Sequence, residues 1–409
     1  MGMMPLDVDA RPVRASATAA GILPALGGML ALASALGIGR FVYTPILPAM
    51  AETLRLSKTE AGLIASANFV GYLVGALLAA APRWPGGRRA WLLGALATGA
   101  AATATVGWVD TLPAFLLLRF AGGVASAFVL VLGSALVLDW LARIGLDRWA
   151  SLHFAGVGFG IAVSALLVDA LREAGAGWWT LWLASGAVAG AAVPVAAWLV
   201  PGGKEPMASA PTGREAAEKA GLSRGLGALT LYHGLFGFGY VVTATFIVAA
   251  VHASPELRTL EGRVWLVVGL AAMPSAPAWA WAGRRLGVLL AYAFACLAAA
   301  VGVTAGGLWN VPAGALLAAV LLGGTFMGIT ALGFAAARAL APEQWRRSSA
   351  LMTAGFGVGQ IAGPFVAGRL LDATGSFAPP SMIAAAALVM AAAIAGAAAR
   401  RSTPPSIVT

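Results

Sequence analysis

Two arginines stand where charge is costly. Arg40 lies inside Gly37-Ile-Gly-Arg-Phe-Val-Tyr-Thr-Pro-Ile-Leu-Pro-Ala-Met50, which closes a long apolar run beginning near Gly21. Glu52 is the first charged residue beyond it, about 18 Å away at ~1.5 Å of helix per residue. A membrane's hydrocarbon core is ~30 Å thick, so Arg40 falls near its middle. A charge there costs at least ~2.5–3.5 kcal/mol on insertion scales. Arg119 sits in a second apolar run, nine residues from Asp110 and so roughly 13 Å deep. The carboxylates all fall at the ends of apolar runs or between them, from Glu52, Glu60, Asp169 and Asp372 on one side to Asp139 and Glu343 on the other. Two deep guanidinium groups with no deep acid call for a neutraliser from outside the chain. An anionic substrate would serve, because the planar fork of arginine grips a carboxylate through two hydrogen bonds. Two structural alternatives stay open. Arg119 could bond backbone carbonyls of neighbouring helices, and Arg40 could snorkel outward.

Neutral polar residues extend the candidate binding set. Tyr43 and Thr44 follow Arg40 within a turn, and Pro45 and Pro48 predict a kink that frees carbonyls there. Asn68 and Tyr72, four apart, share a helix face. Farther along come His233, Tyr240 and Gln360. The first half of the chain is therefore cationic inside and the second neutral, which suits a substrate with one acidic end and one neutral or apolar end. His233 and His153 are the histidines expected within spans, and either could titrate near neutrality to carry a proton. His252 is placed at a span end. No metal-ligand cluster, phosphate-binding loop or hydrolase elbow is present, so no cofactor, metal or enzymatic activity is expected.

The elements that must position these residues are membrane helices. Hydrophobic residues make up 60% of the 409 and charged residues 10%, far below the quarter usual in soluble domains. The net charge of +10 comes from basic residues scattered between apolar runs, which argues for membrane orientation over nucleic acid. Twelve spans are expected, at 21–49, 60–81, 90–108, 112–138, 151–171, 178–200, 227–252, 263–282, 287–308, 312–337, 349–371 and 379–399. The first is too long for a signal-peptide core and reads as an uncleaved helix. With both termini cytoplasmic, about eighteen basic residues fall inside and six outside, as the positive-inside rule requires. The chain divides into a tail at 1–20, a bundle at 21–200, a linker at 201–226, a second bundle at 227–399 and a tail at 400–409. Twenty-three arginines against three lysines, with abundant alanine and glycine, point to a GC-rich bacterium and hence its cytoplasmic membrane.

The halves repeat. Gly37, Gly39, Val42 and Ala49 match Gly237, Gly239, Val242 and Ala249 at an offset of 200, and Gly156, Gly158 and Gly160 match Gly355, Gly357 and Gly359 at 199. Parallel duplication of a helical bundle, with the site between copies, is a plan of secondary transporters. Small residues allow helix backbones to approach in lipid. Those of spans five and eleven are expected to line rocking surfaces.

These features resemble the major facilitator superfamily. Gly87-Arg88-Arg89 and Gly283-Arg284-Arg285 look like the basic tail of its signature loop, with Trp84 and Gly283 near the place of that loop's acid. Arg119-Phe-Ala-Gly-Gly123 and Gly359-Gln-Ile-Ala-Gly363-Pro364 resemble further superfamily motifs. Gly39-Arg40-Phe41, Tyr43-Thr44-Pro45, Ser66-Ala-Asn68 and His153-Phe-Ala-Gly156 are similar to the YbfB/YjiJ subgroup. The resemblance implies an all-α fold of twelve transmembrane helices in two six-helix pseudo-repeats, acting as a monomer by alternating access. It implies gating or packing roles for the loop arginines and motif glycines. The expected activity is transport of a small organic anion, proton-coupled. The alternatives are an exporter of neutral or cationic amphiphiles, and a membrane sensor or enzyme that transports nothing.

Overall fold

The computed structural model describes residues 22–80, 85, 87–202, 224–342 and 345–402. The N-terminal tail, Trp84, nearly all of the linker and most of the C-terminal tail lie outside these. The described residues are helical, with no strand. Eleven continuous helices are long and apolar enough to cross a membrane. In chain order they begin with α1 (Ile22–Leu54), α2 (Lys58–Ala79), α3 (Arg88–Trp108), α4 (Leu112–Arg143), α5 (Asp147–Glu173) and α6 (Trp178–Leu199). The second half has α7 (Gly225–Ala253), then α8, which is Arg258–Ala272 plus Ser275–Leu286 bent by 45°, the twelfth span. The rest are α9 (Val288–Leu308), α10 (Pro312–Leu340), α11 (Arg347–Thr374) and α12 (Ala378–Arg401).

Two spans differ from the sequence expectation for physical reasons. α8 is longer than 263–282 and broken at Met273–Pro274, because a proline inside a helix removes one N–H and crowds the carbonyl four residues back. α1 runs past residue 49 to Leu54 and ends at Arg55, whose φ of 53° is left-handed. It is also distorted upstream. Gly39 N–H bonds Ser34 O at 2.9 Å and Phe41 N–H bonds Leu36 O at 3.1 Å, both one residue wider than α-helical spacing. Pro45 has no N–H for Phe41 O. Thr44 N–H turns to that carbonyl at 3.2 Å instead, releasing Arg40 O.

The repeat is visible in the backbone. Gly87 and Gly287, 200 apart, open α3 and α9 with φ of 85° and 86°, a region that favours glycine. Equivalent residues also meet across the middle of the molecule. Thr44 Oγ1 donates to Ala244 O at 2.7 Å, and His252 Nε2 lies 2.6 Å from Glu52 Oε1. A pseudo-two-fold axis passing between α1 and α7 brings such pairs face to face.

The halves pack on each other mainly as α2 on α11 and α5 on α8. Glycines permit this, and those expected from spans five and eleven divide between this interface and packing within each half. Gly156 faces Met29 O and Gly160 faces Ala33 O, so both pack α5 on α1 inside the first half. Gly359 faces Gly234 O, and Gly363 faces Val241, inside the second. Gly37 closes the first of these contacts, against Gly160. The backbones that approach between halves meet elsewhere: Gly62 at Pro364 O, Gly368 at Lys58 O, and Gly158 at Gly269 O and Met273 N. The rocking surface expected on the glycines of spans five and eleven is thus carried by Gly158, Gly357 and Gly368, while Gly156, Gly160, Gly359 and Gly363 pack within a half.

Candidate functional site

The broken stretch of α1 faces the centre of the molecule, and the two deep arginines use it differently. Arg119, on α4 and 4% exposed, donates from Nη1 to Gly39 O and from Nη2 to Arg40 O, each at 2.9 Å. Its guanidinium lies against the rings of both Tyr43 and Trp182, at 5.3 and 5.6 Å. The carbonyls released by the break are therefore held by a charged donor. Asn68 Nδ2 in turn donates to Arg119 O at 2.9 Å, tying α2 to α4. Tyr43 Oη donates to Ala61 O at 2.8 Å, and Thr44 spans to the second half.

Arg40 is 5% exposed, and its Nε and Nη2 have no hydrogen-bond partner. Rings surround it instead: Tyr72 at 4.4 Å, Phe69 at 4.5 Å and Phe41 at 5.4 Å. The snorkelling alternative fails, since the group is buried. From the second half Tyr240, at the repeat position of Arg40, lies within reach of its charge. Tyr240 accepts a hydrogen bond from Gln360 Nε2, while Gln360 Oε1 is buried without a partner. Four of the sequence-derived residues, Arg40, Tyr72, Tyr240 and Gln360, thus come together.

The remaining candidates are elsewhere. His233 bonds Tyr292 Oη of α9 at 2.9 Å and packs on Phe236 and Phe356. His153 bonds Ser134 Oγ at 3.0 Å. Each makes this bond within its own half, and His153 Nδ1 is buried without a hydrogen-bond partner. In the loop motif, Arg88 lies 3.6 Å from Asp139 at the end of α4, so an acid from another span serves where the loop has none. Arg89 caps the end of α6, donating to Val200 O at 3.2 Å and to Ala197 O. Arg284 and Arg285 are exposed, the latter over the Trp281 ring. Pro364 lends its carbonyl to the contact with Gly62.

Sequence reading missed the phenylalanines Phe41, Phe69, Phe326 and Phe356, which looked like ordinary core. It also missed a polar cluster at one face. There His252 Nε2 meets Glu52 at 2.6 Å and His252 Nδ1 meets Glu261 Oε2 at 2.7 Å, while Arg172 pairs with Glu261. On the same face Asp372 of α11 accepts from Lys58 N and Thr59 N, at 2.9 and 2.8 Å, at the start of α2. A carboxylate there complements the helix's positive end, and this one comes from the other half. The 200-residue offset between Glu52 and His252 was the signal that could have found the first cluster.

Twelve helices in two equivalent halves, with a polar site between them, define a transporter of the major facilitator type. Solved structures agree with this fold. The nucleoside transporter NupG is 16% identical, with 92% of this chain and 98% of that one covered and a TM-score of 0.66. A bacterial homologue of the human lysosomal transporter Spinster, inward-facing and unoccupied, is also 16% identical, covering 96% and 98% with a TM-score of 0.66. A comparison with curated proteins finds none that matches. The chain belongs to the family described as uncharacterised MFS-type transporter YbfB, whose model matches residues 32–396.

Proposed function

We propose that this protein moves a small organic anion across the membrane by alternating access, with Arg40 as the binding cation. The observation that carries the reading is a buried guanidinium, two of whose nitrogens have no hydrogen-bond partner, with no buried carboxylate among the described residues. A carboxylate would supply both the missing acceptors and the missing charge. Arg119 is assigned a different role, as the clamp of the α1 break. The excess of basic residues on one side supports a cytoplasmic position for the termini and linker. The inter-half bonds at Glu52 and Asp372 then close the outer face, so the site would face inward. The protein is read as a proton-coupled monomer of a bacterial cytoplasmic membrane.

A neutral substrate, such as the nucleosides of NupG's printed name, would leave the Arg40 charge unmet, and an organic cation would be repelled by it. The test is uptake into proteoliposomes of monocarboxylates, dicarboxylates, amino acids, nucleosides and cationic dyes, with and without a proton gradient. Anions are expected to move, faster with the gradient. Arg40→Ala should cost about 2–5 kcal/mol, hence at least about thirtyfold in apparent affinity. Uptake of only neutral or cationic compounds, or normal anion uptake by the Arg40→Ala protein, would overturn the reading.

A further inference from the structure

The surroundings of Arg40 narrow the anion's shape. Tyr240 is stacked with Phe236 at 5.0 Å and lies parallel, within 5°, to both Phe326 and Phe356. Phe326 meets Phe41 edge-on at 6.0 Å, next to Arg40 itself. A row of rings therefore runs from the cation toward the second half. Beside the Tyr240 hydroxyl Gln360 offers a buried, unused acceptor. We infer that the substrate is an aromatic carboxylate carrying a hydrogen-bond donor on its ring. The carboxylate meets Arg40, the flat body stacks offset on the rings, and the donor reaches Gln360 Oε1. This rests on the anion reading above and sharpens it.

The test is competition within one charge class. Benzoate, para-hydroxybenzoate, cyclohexanecarboxylate and butyrate are compared for uptake and for thermal stabilisation of the detergent-solubilised protein. Benzoate should bind up to about tenfold more tightly than cyclohexanecarboxylate, the gain expected from ring–ring contact at similar apolar area. The para-hydroxyl should add to this in the wild type and not in Gln360→Leu. Equal affinity for the two six-membered rings overturns the inference while leaving an anion transporter. Failure of every acid to bind removes the anion reading itself.

A second inference stands on a different observation, the proton count at the closed face. Neutral histidine has one N–H donor and one acceptor, and an ionised carboxylate only accepts. His252 presents both ring nitrogens to carboxylates, Glu52 and Glu261. The arrangement closes only with one proton more than neutral imidazole and two carboxylates hold, and imidazole is the most basic of the three groups. The charges then alternate: Glu52 and Arg172 from the first half, His252 and Glu261 from the second. Arg258 donates to His252 O at 3.1 Å, and the Asp169 carboxylate lies against Gly262, the residue after Glu261. We propose that His252 takes up a proton from water on its own face as that face closes, and returns it there on opening. The device senses the pH of that side and carries no net proton across.

Linkage gives the sign. When the halves part, His252 keeps Glu261 of its own half and loses Glu52 of the other, so the extra proton is held more firmly in the closed form and closure takes it up. Closure is then weakened by up to about tenfold per pH unit as pH rises. Spin labels at Thr111→Cys and Ala313→Cys, exposed ends of α4 and α10 on this face, report the distance between halves in nanodiscs. Raising pH from about 6 to about 8.5 should transfer population from the short to the long distance in the wild type. His252→Gln should abolish the dependence. A pH-invariant wild-type distribution, or a dependence surviving in His252→Gln, overturns the proposal. Neither readout involves substrate.

Discussion

At the residue scale, Arg40 and Arg119 show how one residue type takes two roles through its partners. Both are buried, both stack on rings, and both lie near the same turn of α1. Arg119 spends two nitrogens on backbone carbonyls; Arg40 leaves two unused. Replacing Arg119 with methionine keeps the apolar stem and strands Gly39 O and Arg40 O. Hydrogen bonds to a charged donor are worth about 1.5–3 kcal/mol each, so Arg119→Met should markedly lower thermal stability. Arg40→Met should destabilise less, because it removes a buried charge and strands only the Tyr72 hydroxyl, no backbone carbonyl. Differential scanning fluorimetry of the two variants checks this; equal destabilisation would mean that Arg40 also holds the fold. The sequence made both charges legible, since a deep arginine is conspicuous in an apolar run. It left their roles open, because the carbonyls that claim Arg119 exist only where Pro45 and the widened turn at residues 33–38 leave them.

At the element scale, small residues separate what must be rigid from what must part. A side-chain carbon on Gly156 would fall 2.1 Å from Met29 O, inside the first half, and one on Gly62 would fall 2.2 Å from Pro364 O, between halves. Neither contact is possible, but the two relax differently. The halves can separate at Gly62, whereas α1 and α5 cannot part without unfolding their bundle. Gly62→Val is therefore expected to keep its melting temperature and to populate the open distance between labels at positions 111 and 313. Gly156→Val is expected to lose several degrees or fail to accumulate, as overpacking a core does at about 1–3 kcal/mol. The repeat and the twelve spans could be read from apolar runs and a near-constant offset. Which glycines face a sister helix and which face the other half could not, because both kinds recur at helical spacing and only the tertiary arrangement distinguishes them.

At the scale of the whole molecule, the closed face is held at two places that share no residue. One is the Glu52–His252–Glu261–Arg172 chain on the pseudo-two-fold axis; the other is Asp372 at the start of α2, where Thr59 Oγ1 also donates. The first depends on a histidine proton and the second does not. Asp372→Asn keeps an acceptor but removes the charge facing the helix terminus, worth about 0.3–1 kcal/mol, so the open population should rise roughly two- to fivefold. Its pH dependence should remain that of the wild type. His252→Gln should remove the pH dependence and leave the Asp372 contribution intact. Sites without a common partner add, so the double variant should show the sum of the two free-energy changes within about 0.5 kcal/mol. Label distances measured for all four proteins at about pH 6 and about pH 8.5 close the cycle. A large departure from additivity would mean that the α2–α11 and α5–α8 contacts open separately. Additivity is the result expected if the two halves part as rigid bodies, each released by the loss of either hold in proportion to its strength.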